Sequence, residues 1–237
     1  AASGLLRELC HTADPVLAGL AASTLASHHR QLGGHASART LDAAALRSLS
    51  QVSGPGTREA AQAWSDALLG LAADAVGLGR FGEARRLAAA AQRRGDPGWR
   101  GAIRLGWVSA EIELGSGRAE HALPHAEAAA VRSADAGSTR HRVKSGLVLG
   151  AALAAAGDRT RARDLLAAAR SDAAEHGLLP LVWPCALLLA DLEPAGARAH
   201  RREAAEVLHT VLLRTDPVGR HIARSSPWVP DPAGLTG

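Results

Sequence analysis

Apolar residues along much of the chain recur at helical intervals. Between Glu59 and Gly77, Trp64, Leu68, Leu71 and Ala75 fall three and four positions apart, on one face of a helix. After Gly79, Ala84, Leu87, Ala88 and Ala91 repeat at i, i+3, i+4 and i+7, while Arg85, Arg86, Gln92 and Arg93 lie elsewhere on the wheel. Gly95-Asp96-Pro97 then gives a stop followed by an N-cap with proline in the first helical position. The stretch predicts a helical hairpin: a helix A, a turn at Gly79, and a helix B.

The same pattern returns downstream. Gly79-Arg80 aligns with Gly117-Arg118 at an offset of 38, and Gly117 with Gly157-Asp158 at 40. A small residue early in helix B moves in step: Ala84, Ala122, Ala162 and Ala204. A period near 40 residues with one helix pair per unit is the signature of an α-solenoid. A less regular unit precedes these. Its helix A is predicted over Pro15 to Gln31, capped by Asp14, and its helix B over HASARTLDAAALRSLS. SQVSGPGT, Ser50 to Thr57, reads as a loop, and RSSPWVPDPAGLTG as an irregular end. The expected organisation is a degenerate N-terminal pair or pairs over 1–53, helical repeats over 54–217, and a short helix with an irregular tail over 218–237. One such pair cannot bury its apolar stripe alone. Stacking creates a continuous core, and the array is expected to be elongated and curved around an open trough.

Composition supports this reading. Hydrophobic residues make up 47% of 237, mostly Ala and Leu, while aromatics are 3%: five Trp, one Phe and no Tyr. Helix formers dominate and strand formers are sparse, so the fold class is all-α. The pI near 10.3 suggests a polyanion binder, yet the net charge is only +4. With one Lys, no Tyr and two Cys, almost nothing loses a proton between neutrality and the Arg range, so the pI overstates the positive field. The excess of Arg over Lys, with no Met or Asn, fits a GC-rich genome. Cys10 and Cys185 form no CxxC, which favours reduced thiols, with a disulfide between them as the alternative. The longest apolar runs are about half a membrane span. The start, AASGLLRELCHTADP, has no basic-then-apolar leader pattern, and cytoplasm is the expected location.

These residues resemble a known family. The spacing over roughly residues 58 to 217 is similar to tetratricopeptide repeats. In the unit quoted first, Ala72 matches the small residue of helix A, Phe81 the turn aromatic, Ala84 and Ala91 the packing alanines, and Pro97, displaced by one, the closing proline. The aromatic becomes Ala119 and Arg159 in the next two units, and Pro124 falls within a helix B. The period exceeds the family's usual value of about 34. Longer, divergent repeats of this kind resemble those of large actinobacterial regulators of the MalT and LuxR type. The resemblance implies a right-handed α-solenoid of about five antiparallel helix pairs whose A helices line a concave face. It also implies binding of a protein or peptide there, in transcriptional or signalling regulation, without catalysis.

Candidate chemistry is thin. His121 and His125 are four apart, but HALPH lacks the Glu of a zincin motif and no third ligand is apparent; no metal or other cofactor is expected. No GxSxG, P-loop or strand-linked GxGxxG occurs, and GLGRFG sits between helices, as a turn. Cys185 lies in the apolar stretch VWPCALLLA, the setting of a buried thiol. Arg104, Trp107 and Glu111 share a helix face beside Leu105, Val108 and Ile112. The repeat register implied by the resemblance puts those three in the groove, with Asp66 from the unit before and Lys144 from the unit after. These five are the candidate partner-binding residues; packing of Trp107 against the neighbouring unit is the alternative. With one Lys and no Asn, a Lys/Asn carboxylate clamp cannot be assembled, so a peptide would be held by apolar contact plus Arg104 or Lys144. Two other readings stay open. Arg clusters along the B helices could take nucleic acid or another polyanion, and a pocket using Trp64, Trp99, Trp107 or Trp183 could sense a small molecule.

Overall fold

The computed structural model describes residues 2–52, 57–94 and 98–235. Among them there are twelve α-helices, a closing 3-10 turn and no strand. The helices are α1 (Ala2–Leu9), α2 (Pro15–Gln31), α3 (His35–Leu49), α4 (Arg58–Gly77), α5 (Phe81–Arg93), α6 (Gly98–Gly115), α7 (Ala119–Ala134), α8 (Thr139–Ala155), α9 (Arg159–Glu175), α10 (Leu179–Leu192), α11 (Ala197–Leu213) and α12 (Pro217–Arg224). The stop at Gly95-Asp96-Pro97 and the centre of the Ser50–Thr57 loop lie outside the described residues.

Local signals set these elements. Asp14 caps α2 by accepting from the backbone N–H of Val16 at 2.8 Å and Leu17 at 3.2 Å. Thr57 caps α4 through the Ala60 N–H at 3.1 Å. The hairpin turns repeat one hydrogen-bond pattern. Gly79 N–H reaches Val76 O at 2.9 Å and Arg80 N–H reaches Ala75 O at 2.7 Å; Gly117 with Arg118 and Gly157 with Asp158 do the same. The turn needs a left-handed residue, and Gly79, Gly117 and Gly157 supply φ of 70°, 72° and 91°.

Packing follows the order of the chain. α2–α3, α4–α5, α6–α7, α8–α9 and α10–α11 are hairpins, and each also touches the next. The A helices α2, α4, α6, α8 and α10 additionally touch one another in a row, which makes their side the tighter, inner side. Ala84, Ala122, Ala162 and Ala204 are fully buried where helices approach closely. Gly150 faces Leu166 and Gly115 faces the Phe81 ring so closely that a methyl group at either position would collide. Leu49, Leu69, Ile103, Leu166, Leu189 and Leu208 fill the spaces between; each contributes about 1.5–3 kcal/mol on burial. No helix of the described residues is long and apolar enough to cross a membrane.

The array does not stay open from end to end, as the repeat pattern led us to expect. Its last segment returns to its first two hairpins. Leu32 packs against Leu208, Ala223 and Val229. Ser226 Oγ donates to Gly33 O at 3.1 Å, and Trp228 Nε1 donates to Gly77 O at 3.0 Å. The Trp228 ring meets the His35 ring edge-on at 6.1 Å. Arg7 and Asp216 approach to 3.8 Å. Residues 225–229 thus form a clasp over the turns after α2 and α4.

Beneath the clasp lies a buried charge cluster. Arg30 donates to Asp42 and, through Nε at 2.8 Å, to Asp74; both carboxylates are wholly buried. Burial acts to strip the proton from Arg30, but Asp42 and Asp74 outweigh it and hold the guanidinium charged. One cation cannot serve two carboxylates equally in this dry setting. Burial and then the neighbouring Asp74 push the Asp42 carboxyl up to about 7, against the pull of Arg30.

Candidate functional site

The inner row brings the five sequence-derived residues together on α4, α6 and α8. Arg100, Arg104, Trp107 and Glu111 form one stripe of α6 at spacings of four, three and four. Asp66 on α4 accepts from the guanidinium groups of both Arg100 and Arg104, and Arg104 Nη2 also reaches the Asp66 carbonyl at 3.4 Å. Glu111 pairs with Lys144 of α8 at 3.0 Å. The register that placed these residues side by side therefore spends their charges on each other. Arg104 and Lys144, the cations expected to hold a ligand, each face a carboxylate of an adjacent unit.

Trp107 sits deeper than an exposed anchor would. It is 7% exposed and its Nε1 donates to Ser145 Oγ of α8 at 2.8 Å. Its indole stacks on the ring of His141 at 5.3 Å and 23°. The other edge of the platform is Trp99, which meets His141 at 5.0 Å and remains 51% exposed. Ser138 Oγ and His141 Nδ1 lie 2.8 Å apart, fixing the imidazole in the sandwich. The exposed aromatic of the groove is thus Trp99, and Trp107 is its buried support. Loss of hydration, followed by the charges of Arg140, Arg104 and Arg100, lowers the His141 pKa to about 4. The imidazole is neutral at pH 7 and behaves as an aromatic plate.

Arg140, in the first turn of α8, was not among the five partner-binding candidates, although it opens one of the Arg clusters considered for a polyanion. Its side chain reaches solvent, and no carboxylate pairs with it among the described residues. Loss of hydration and then the Arg104 charge lower its pKa. It also bears on α2: loss of hydration, then Arg140, lower the pKa of His28, while Asp216 opposes them. The charge of a residue in the fourth hairpin thus acts on one in the first. The repeat offset of 40 could have found Arg140. Added to Arg100 and Arg104 it gives Arg140 and Lys144.

The B helices present a different surface. Arg39 pairs with Glu83 at 2.5 Å, Arg85 with Glu113 at 3.3 Å, Arg118 with Glu113 at 2.5 Å, and Arg170 with Glu203 at 2.8 Å. Most of these pairs join successive hairpins. Of the other sequence candidates, His121 and His125 are exposed on α7, and no three metal-binding side chains gather among the described residues. Cys10 and Cys185 are free thiols, and burial pushes Cys185 up to about 12. Trp64 lies under the Arg94 guanidinium at 3.8 Å, and Trp183 packs beside Leu208 and Val229.

Compared with known proteins, the chain matches no family model and no curated protein at a significant level.

Proposed function

We propose that the chain is a right-handed, tetratricopeptide-like solenoid of about five helix pairs that binds a protein or peptide along its inner face. On this reading it is a non-catalytic, cytoplasmic interaction module, and regulation of transcription or signalling is the setting its repeat spacing suggests. One observation carries the reading: the inner face holds a half-exposed indole, Trp99, against His141, which stacks on the buried Trp107 and is preceded by Arg140, a guanidinium with no carboxylate paired to it among the described residues. A rigid aromatic next to Arg, rimmed by charge, is the composition of an interface hot spot. The B-helix arginines favour a polyanion less, because many of them are already matched by carboxylates of the neighbouring hairpin.

The test is a pull-down from the native organism with the wild-type chain and with Trp99→Ala. Trp99 is exposed, so the variant should keep its helical circular dichroism while losing the partner by at least tenfold in affinity. A partner retained in full by a folded Trp99→Ala chain would refute the reading.

A further inference from the structure

We propose that the inner trough contains an anion subsite centred on Arg140, and that it takes a carboxylate side chain of the bound peptide; this rests on the peptide-binding reading above. Arg100 and Arg104 of α6 meet at Asp66, and Arg140 of α8 stands next in sequence to His141 of the Trp99–His141–Trp107 platform, one turn before Lys144. One carboxylate, Asp66, serves two of them. The next acidic group along the stripe, Glu111, is consumed by Lys144. Asp216 caps α12 through the Gly219 N–H at 2.7 Å and approaches Arg7 to 3.8 Å. Asp66 is thus shared by Arg100 and Arg104, Asp42 also acts on Arg104, and Arg140 has no carboxylate paired with it among the described residues.

The surroundings say what would fill the vacancy. Loss of hydration and then the Arg104 charge disfavour the charged form of Arg140, and Arg140 in turn disfavours protonation of His28 and His141. An incoming anion offsets the Arg104 charge that Arg140 feels and leaves the neutral imidazole of His141 as an uncharged wall. The guanidinium offers a planar fork that matches a carboxylate. Beside it the exposed edge of Trp99 offers apolar contact. The ligand segment that fits is an acidic residue next to an apolar one, held in an extended stretch along α6 and α8.

The experiment uses the full chain, calorimetry, and two capped hexapeptides, each with two central leucines. One has glutamates at the other positions and the other has glutamines. The proposal expects the glutamate peptide to bind at least tenfold tighter than the glutamine peptide at low salt. The preference should vanish in Arg140→Gln and survive in Arg140→Lys, with circular dichroism unchanged in both. Equal binding of the two peptides would overturn the anion subsite and leave the peptide reading standing. Binding of inorganic phosphate alone, lost in Arg140→Gln, would keep the subsite and overturn the peptide reading. Absence of binding by either peptide and by phosphate would overturn both.

Discussion

Replacing Asp42 with asparagine should change how stability depends on pH, in a direction the buried cluster dictates. Asp42 is wholly buried between Arg30 and Asp74, with its carboxyl pushed up from 3.8 to about 7. The folded state therefore holds a proton that the unfolded chain releases above pH 4. The stability from that proton is full below about pH 4 and is lost as pH rises to about 7. A shift of roughly three units corresponds to about 4 kcal/mol over that window, at about 1.4 kcal/mol per unit. Asparagine mimics the protonated acid in shape and charge but cannot ionise, so the variant lacks the slope. Urea denaturation followed by circular dichroism from pH 4 to 7.5 gives the stability of both proteins. Their difference cancels the titrating groups that do not interact with Asp42, leaving the Arg30, Asp42 and Asp74 cluster as the source of the slope. Wild type should lose ground to Asp42→Asn steadily as pH rises. Parallel profiles would show that Asp42 ionises normally, and the account of a cation shared unequally between two carboxylates would be wrong.

The other predictions concern the platform, the clasp and the seam. His141 has the opposite sign: its pKa is held near 4, below the ordinary 6.5, so its stabilisation is full above pH 6.5 and lost as pH falls to 4. Against His141→Gln, the wild-type chain should weaken across that window by about 1–3 kcal/mol, read by the same denaturation series. Gly33 has φ of +71° with Ser226 pressed against it, so Gly33→Ala should cost about 1–2 kcal/mol in backbone strain and release the clasp. Limited proteolysis should then cut within residues 225–229 sooner than in wild type. Ala84→Leu should cost about 1–3 kcal/mol through overpacking where α5 is fully buried at its seam, lowering the thermal midpoint.

Much of the fold was legible because its causes are local. Asp14 caps its helix through bonds to residues two and three positions away, and the turn glycines act within six residues. A 3.6-residue period and an Ala at a fixed place in each helix B are written directly in the chain, so the hairpins and their order could be read from it. The candidate site was legible in part. The repeat offset brought Asp66, Arg104, Trp107, Glu111 and Lys144 to adjacent helices, but it carried no information on how their charges would be divided. That depends on side chains 33 and 38 residues apart meeting within a few ångströms, and it turned Arg104 and Lys144 from free cations into paired ones.

The sequence by itself determined the helices, their capping and the small-residue seams, because each depends on neighbours within one or two turns. The tertiary structure alone decided three things. It set Trp107 under Trp99, leaving the latter exposed. It left Arg140 with no paired carboxylate among the described residues. And it brought Ser226 to Gly33 across 193 residues, closing an array that repetition alone would leave open. Contacts of that kind depend on how successive hairpins are placed along the whole chain, and no short stretch of residues encodes their sum.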